Sequence, residues 1–209
     1  MCQQTINESV DHFCNYFEHQ SNVIDNLICP TNEEVGVTER EQLFFHKQNL
    51  YVCLLDCLSN IRFHKSAYKQ LSQENRLRFV RFIKENCDWV EGGSVSLPFL
   101  IDSIPPKFMD NPLANYIQEK LNNYRELTNS VNISEVDEGI LFLKAYALNE
   151  KEEELIERCQ HYSILYRYRN YLVHEARLPG GAVQSMAQDN YNACYHQYGN
   201  DRRLHLFIQ

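Results

Sequence analysis

Residues 166–181 read YRYRNYLVHEARLPGG, and the side chains able to do chemistry crowd into that stretch: Arg167, Arg169, Asn170, His174 and Arg177. An arginine presents a planar fork of donors that matches phosphate oxygens. An imidazole takes or gives a proton near neutral pH. An asparagine amide can orient either one. Together they make an anion site and, on a phosphodiester, an acid–base site. At about 100° per residue of α-helix, Asn170 and His174 lie about 40° apart on one stripe. Arg169 stands about 140° from His174, at the margin of that stripe, where its long side chain can curl inward. Arg177 falls beside His174. A purely electrostatic account covers part of this. Cations in the last turn of a helix gain about 0.3–1 kcal/mol each from the dipole, and Pro179-Gly180-Gly181 ends the helix. That explains Arg167 and Arg177. It does not explain Asn170, a poor helix former, or an imidazole where a lysine would serve.

The elements around the stretch read as helices. A long helix is expected from about 150 to 177, with Glu150, Glu152, Glu153 and Glu154 at its positive end and the basic cluster at its negative end. Upstream, the opening segment carries Val10, Phe13, Phe17, Ile24 and Leu27 on one stripe and stops at Pro30. Residues 38–63 begin with the capping box Thr38/Glu41 and continue with Leu43, Leu50, Leu54, Cys57, Leu58 and Ile61 at helical steps. Residues 73–91 give a third helix, with Leu77, Val80, Ile83 and Cys87 inward and Arg76, Arg78, Lys84 and Glu85 outward. The Pro- and Gly-rich run 92–112 is a connector around one short helix, capped by Ser96 with Pro98 in its first turn. Helical patterns resume at 113–128 and 135–147. A short helix is expected at 183–196, and Leu204, Leu206 and Ile208 alternate as in a short C-terminal strand. The expectation is a single, mainly helical domain over residues 1–209.

Composition narrows the function. Hydrophobic residues make up 44% of the 209, enough for a packed core. The net charge of −8 argues against a protein that coats nucleic acid broadly and leaves room only for a local basic site. MCQQTINESV has neither the basic flank nor the apolar run of a secretory start, and no stretch approaches the roughly 20 apolar residues of a membrane span. The eight cysteines form no CxxC pair and read as reduced thiols of a cytoplasmic protein.

Arg169 to His174 reads R-N-x-x-x-H. This resembles the motif of the HEPN superfamily (higher eukaryote and prokaryote nucleotide-binding domains). The wider stretch YRYRNYLVHEARLPGG, and VSLPFL at 95–100, are similar to segments of small bacterial HEPN-like proteins. The resemblance implies an all-α antiparallel helical bundle that pairs as a homodimer, with the motif late in the chain near a helix end. It implies a metal-independent endoribonuclease without a cofactor. Motif residues of two protomers would meet at the dimer interface and cut RNA by attack of the 2′-hydroxyl, leaving a cyclic phosphate. On this reading Arg169, Asn170 and His174 are catalytic, and Arg167 and Arg177 bind RNA. The implied setting is a toxin or antiviral defence effector in the bacterial cytoplasm, with an antitoxin or other protein as partner. Some members bind nucleotides only, so the alternative is a non-catalytic helical module for a nucleotide or a partner protein.

Other constellations carry less. His174-Glu175 would need a histidine at 178 to make a zincin motif, and that position is Leu178. Cys53 and Cys57, one turn apart in an apolar run, read as buried core cysteines rather than a metal site. Gly92-Gly93 and Gly180-Gly181 belong to no phosphate loop. Tyr162, Tyr166, Tyr168 and Tyr171 read as core or interface rather than as a base-stacking platform. Arg76, Arg78 and Arg81 read as a solvated basic face, and Glu175 as a surface charge.

Overall fold

The computed structural model describes residues 3–28, 37–71, 73–124, 130–175, 182–184, 194–197 and 204–208. The chain divides into two compact units, Met1–Arg62 and Phe63–Gln209. The described residues are mainly helical, and no helix among them is long and apolar enough to cross a membrane.

The first unit holds two helices, α1 (Gln3–Asp25) and α2 (Val37–Arg62). Asp25 ties them: its backbone carbonyl accepts from Lys47 Nζ at 2.8 Å and its carboxylate from the Tyr51 hydroxyl. Helix α2 opens at Val37, one residue ahead of Thr38, the expected cap. Its buried positions are Val52 and Ser59, two turns apart. Leu50, Cys57 and Ile61, expected inward, are exposed, as are Val10 and Phe13 on α1. Cys53 is exposed too, so neither it nor Cys57 is a core cysteine.

In the second unit, helix α3 (Asn75–Asn86) follows a single 3-10 turn at Lys69–Leu71. Ile83 is buried as expected, together with Phe79 and Arg78, while Val80 and Cys87 are half-buried. Leu77 is exposed and Arg78 buried, the reverse of the expected placement. Arg81 is exposed, lies over the rings of Phe63 and Tyr68, and pairs with Glu85 at 2.6 Å. The three arginines therefore do not form one solvated face.

Strand β1 (Ser94–Val95) leads into α4 (Leu97–Ser103). The Ser96 hydroxyl accepts from the Phe99 amide at 3.4 Å, and Pro98 occupies the first turn, as the sequence indicates. Next come α5 (Pro112–Asn122), β2 (Val131–Asn132) and α6 (Ile133–Val136), then β3 (Glu138–Gly139) and α7 (Ile140–Lys144). The expected helix over 135–147 is thus broken where Glu138–Gly139 leaves the helix to pair with β1.

The expected helix over 150–177 is also broken. Helix α8 (Glu150–Arg158) ends at Cys159, and α9 (His161–Asn170) starts afresh after an extended Gln160. The corner is held by β1 and its neighbours. The Cys159 carbonyl accepts from the Ser96 amide at 2.9 Å, and Gln160 Nε2 donates to the Gly93 carbonyl at 2.8 Å. Backbone groups that would have continued the helix ladder are spent on the neighbouring segment.

Strands β4 (Ala182–Gln184) and β5 (Cys194–Gln197) stand where a helix was expected, and β6 (Leu204–Ile208) is the anticipated terminal strand. The second sheet runs β2-β5-β6-β4, antiparallel except for the parallel β4/β6 pair.

The core gathers Val95, Leu97, Leu100, Leu113, Ile117, Leu143 and Ile156. At its centre lies a polar knot. The Asp137 carboxylate accepts from the Leu97 amide at 3.1 Å, from the Tyr195 hydroxyl at 3.0 and 2.9 Å, and lies 2.6 Å from His161 Nε2. The Ser96 hydroxyl is 2.6 Å from Tyr195, so it donates there while Tyr195 donates to Asp137. All four side chains are buried. Burial drives the Asp137 carboxyl above its ordinary value, while the bonds from His161, Leu97 and Tyr195 pull it back. Burial also holds the Tyr195 phenol well above its usual range, so it stays a donor.

Helix α9 packs antiparallel to α3. Tyr166 meets Phe79 at 5.5 Å between ring centres, and one turn toward the start of α9 the Lys84 ammonium lies 5.4 Å from the Tyr162 ring. The Tyr162 ring also fills the space at Gly92, where an added Cβ would come within 2.2 Å of it. Gly92 is therefore a close-approach glycine.

Two outcomes follow. Asp137→Ala strands a buried imidazole, a phenol and an amide, and should cost about 3–5 kcal/mol in urea unfolding; a loss under about 1 kcal/mol would show the knot to be dispensable. Burial pushes the Cys159 thiol up to about 11. At about pH 8, a thiol reagent should label exposed Cys14, Cys53 and Cys57 in the native protein and Cys159 only after unfolding, as read by mass spectrometry. Rapid native labelling of Cys159 would mean that the α8–α9 corner opens.

Candidate functional site

Helix α9 delivers the motif. Tyr168 in its last turn is buried, and burial alone raises its phenol far above the ordinary value. Arg169 and Asn170, which end the helix, are half-buried. The chain then does not tighten or unwind. Tyr171–Glu175 forms a turn of π-helix, with hydrogen bonds spaced five residues apart instead of four. Leu172 is 1% exposed and anchors this turn in the core. His174 and Glu175 are exposed.

The wide turn changes the geometry of the motif. On an α-helix Arg169 and His174 would diverge by about 140°. A π-turn brings positions five apart onto one face. Arg169 Nη1 donates to His174 Nε2 at 3.0 Å and to Asn170 Oδ1 at 2.9 Å. Contact therefore runs through the arginine, with Asn170 steadying the guanidinium. The helical wheel instead pairs Asn170 with His174. A guanidinium has donors only, so Nε2 is the acceptor in this contact, which corresponds to the tautomer carrying its N–H on Nδ1. An exposed imidazole nitrogen that accepts from a guanidinium places a proton acceptor next to an anion-binding group.

Arg167 stands apart. It is exposed, with its guanidinium 6.0 Å from the Phe99 ring centre and 5.8 Å from that of Tyr171. It stacks on aromatic faces rather than joining the Arg169–His174 contact. Arg177 lies outside the described residues. Of the tyrosines, Tyr168 is core, Tyr162 packs edge-on to Trp89, and Tyr166 meets Phe79, in keeping with a packing role.

The sequence reading missed the other titratable cluster, Asp137, His161, Tyr195 and Ser96. Its members stand far apart in the chain and no spacing announces them. It is sealed from solvent, and its chemistry is structural.

Compared with family models, with curated proteins and with solved structures, the chain matches none.

His174 and Leu172 are neighbours in one turn with opposite duties. His174→Ala should change stability by about 1 kcal/mol or less, because the ring is exposed. Leu172→Ala should cost about 2–5 kcal/mol. Chemical denaturation of the two variants checks this, and the reverse order would mean that the Arg169–His174 contact holds the turn.

Proposed function

We propose that the chain is a metal-independent endoribonuclease of the HEPN type, working as a homodimer in which the α9 ends of two copies form the cleft. The observation that carries the reading is the 3.0 Å contact between Arg169 Nη1 and the exposed His174 Nε2 across a π-turn. It supports a base and an anion holder within reach of one phosphodiester.

The chemistry runs as follows. A phosphate oxygen of RNA draws the Arg169 fork away from His174. That frees the Nε2 lone pair. Nε2 takes the proton of the 2′-hydroxyl, and O2′ bonds to phosphorus. Arg169 neutralises the charge that grows on the phosphate oxygens. The P–O5′ bond breaks, the 5′-oxygen takes a proton from water while His174 returns its own to solvent, and a 2′,3′-cyclic phosphate remains. Asn170 keeps the guanidinium aligned. The net charge of −8 means that positive potential must be concentrated at this end, where a dimer would double it. A toxin or defence effector restrained by a protein partner is the setting that such an activity suits.

The parent protein, incubated in EDTA with single-stranded and structured RNAs, should yield cyclic-phosphate ends. His174→Ala should lose at least about 10²-fold in rate and remain folded. Equal cleavage by parent and His174→Ala would sink the assignment. RNA or nucleotide binding without cleavage, lost in Arg169→Ala, would identify a binding module instead.

A further inference from the structure

Arg78 is 8% exposed, yet its surroundings offer little to a cation. Its Nη2 donates to Asn75 Oδ1 at 2.8 Å. Its Nε is buried with no acceptor, and no carboxylate among the described residues pairs with it. An arginine keeps its charge wherever it is placed. Burying that charge without a counter-charge is costly, so such a group is kept where an anion completes it.

Its position sharpens the point. Asn75 is the first residue of α3, so the guanidinium stands at the N-terminal turn of a 12-residue helix. Glu74 supplies no side-chain cap there, and the first turn holds no acidic residue. Backbone N–H groups and the positive end of the helix dipole favour an anion at such a turn. A buried guanidinium without a counter-charge, its Nε lacking an acceptor, and an uncapped helix start thus ask for the same charge. A phosphate, with several acceptor oxygens in a tetrahedron, answers both at once.

The antiparallel packing of α3 on α9 fixes where this lies. Phe79 meets Tyr166, and Lys84 meets Tyr162. Continued by one turn, that antiparallel register directs the start of α3 toward the Arg169 end of α9. We propose that the first turn of α3, with Arg78 and Asn75, is a phosphate-binding subsite neighbouring the Arg169–His174 cluster. It rests on the ribonuclease reading only for the source of the phosphate, which is either the RNA backbone away from the scissile bond or the terminal phosphate of a free nucleotide.

Thermal unfolding with and without inorganic phosphate tests it. Phosphate should raise the parent Tm by about 2–4 °C. Arg78→Met should abolish the rise and, in phosphate-free buffer, melt no lower than the parent, because an unpaired buried charge is gone. Asn75→Asp places a carboxylate on the guanidinium and should likewise remove the response while raising the phosphate-free Tm. An Arg78→Met protein that fails to fold or melts well below the parent overturns the proposal, since the arginine is then held by the protein itself. So does a full phosphate response in either variant. In a His174→Ala background, Arg78→Met should weaken by about tenfold either a short RNA without terminal phosphates, marking the backbone as source, or a nucleoside 5′-monophosphate, marking a free nucleotide. Loss of neither overturns the subsite. RNA cleavage that depends on His174 beside a phosphate response indifferent to Arg78 removes the subsite alone. A response that needs Arg78, with no effect of His174 or Arg169 on RNA, removes the ribonuclease reading alone.

Discussion

One buried carboxylate holds the second unit together. Asp137 has two oxygens to offer, and it spends them on Leu97 at the start of α4, on Tyr195 in β5 and on His161 in the first turn of α9. With Asp137 itself, these groups come from four separate stretches of chain. A carboxylate out of water is tolerable only when every lone pair meets a donor, so the four stretches are not free to drift. Hydrophobic packing around the knot supplies the bulk of the stabilisation, but it is indifferent to small slides. The knot is not, and it sets the corner from which α9 departs.

That corner matters for the candidate site. Helix α9 is short, and its first turn is pinned by His161 and Gln160 while its last turn is pinned by Tyr168 and Leu172. Between these anchors the helix cannot rotate. The backbone at Arg169 is therefore held in place, with its side chain half-buried and His174 on the solvent side. Groups that must meet a charged substrate benefit when their orientation is settled before it arrives. The net charge of −8 adds contrast, because a local group of arginines stands out the more in a chain that is acidic as a whole.

The sequence spoke clearly where local chemistry decides the outcome. Ser96 with Pro98 marks a helix start by hydrogen-bonding rules that need no tertiary context. The alternation of Leu204, Leu206 and Ile208 showed β6, and the R-N-x-x-x-H run pointed to residues that do touch. It was silent where a distant segment decides. Nothing in ERCQHYS predicts a helix break, because the break comes from the backbone of Gly93–Ser96 bonding at Cys159–Gln160. The split at Glu138–Gly139 has the same origin, a pairing with β1. Periodicity also misassigned Leu77 and Arg78. A 3.6-residue stripe ranks positions by hydrophobicity, and α3 buries a cation at the edge of that stripe. Strands β4 and β5 read as helix because their pairing with β6, and that of β5 with β2, lies outside the window that a helical pattern scans.

The π-turn at Tyr171–Glu175 bears on what the motif means. A spacing of five is out of phase with an α-helix, so an arginine and a histidine written that way look like strangers until the backbone supplies an extra residue per turn. The letters and the bulge form one code. On an ordinary helix the same handshake would have to be spelled with a gap of three or four. Equally, relaxing this turn to an ordinary helix with every residue kept would swing the imidazole round the cylinder, leaving the composition of the site intact and its grammar destroyed.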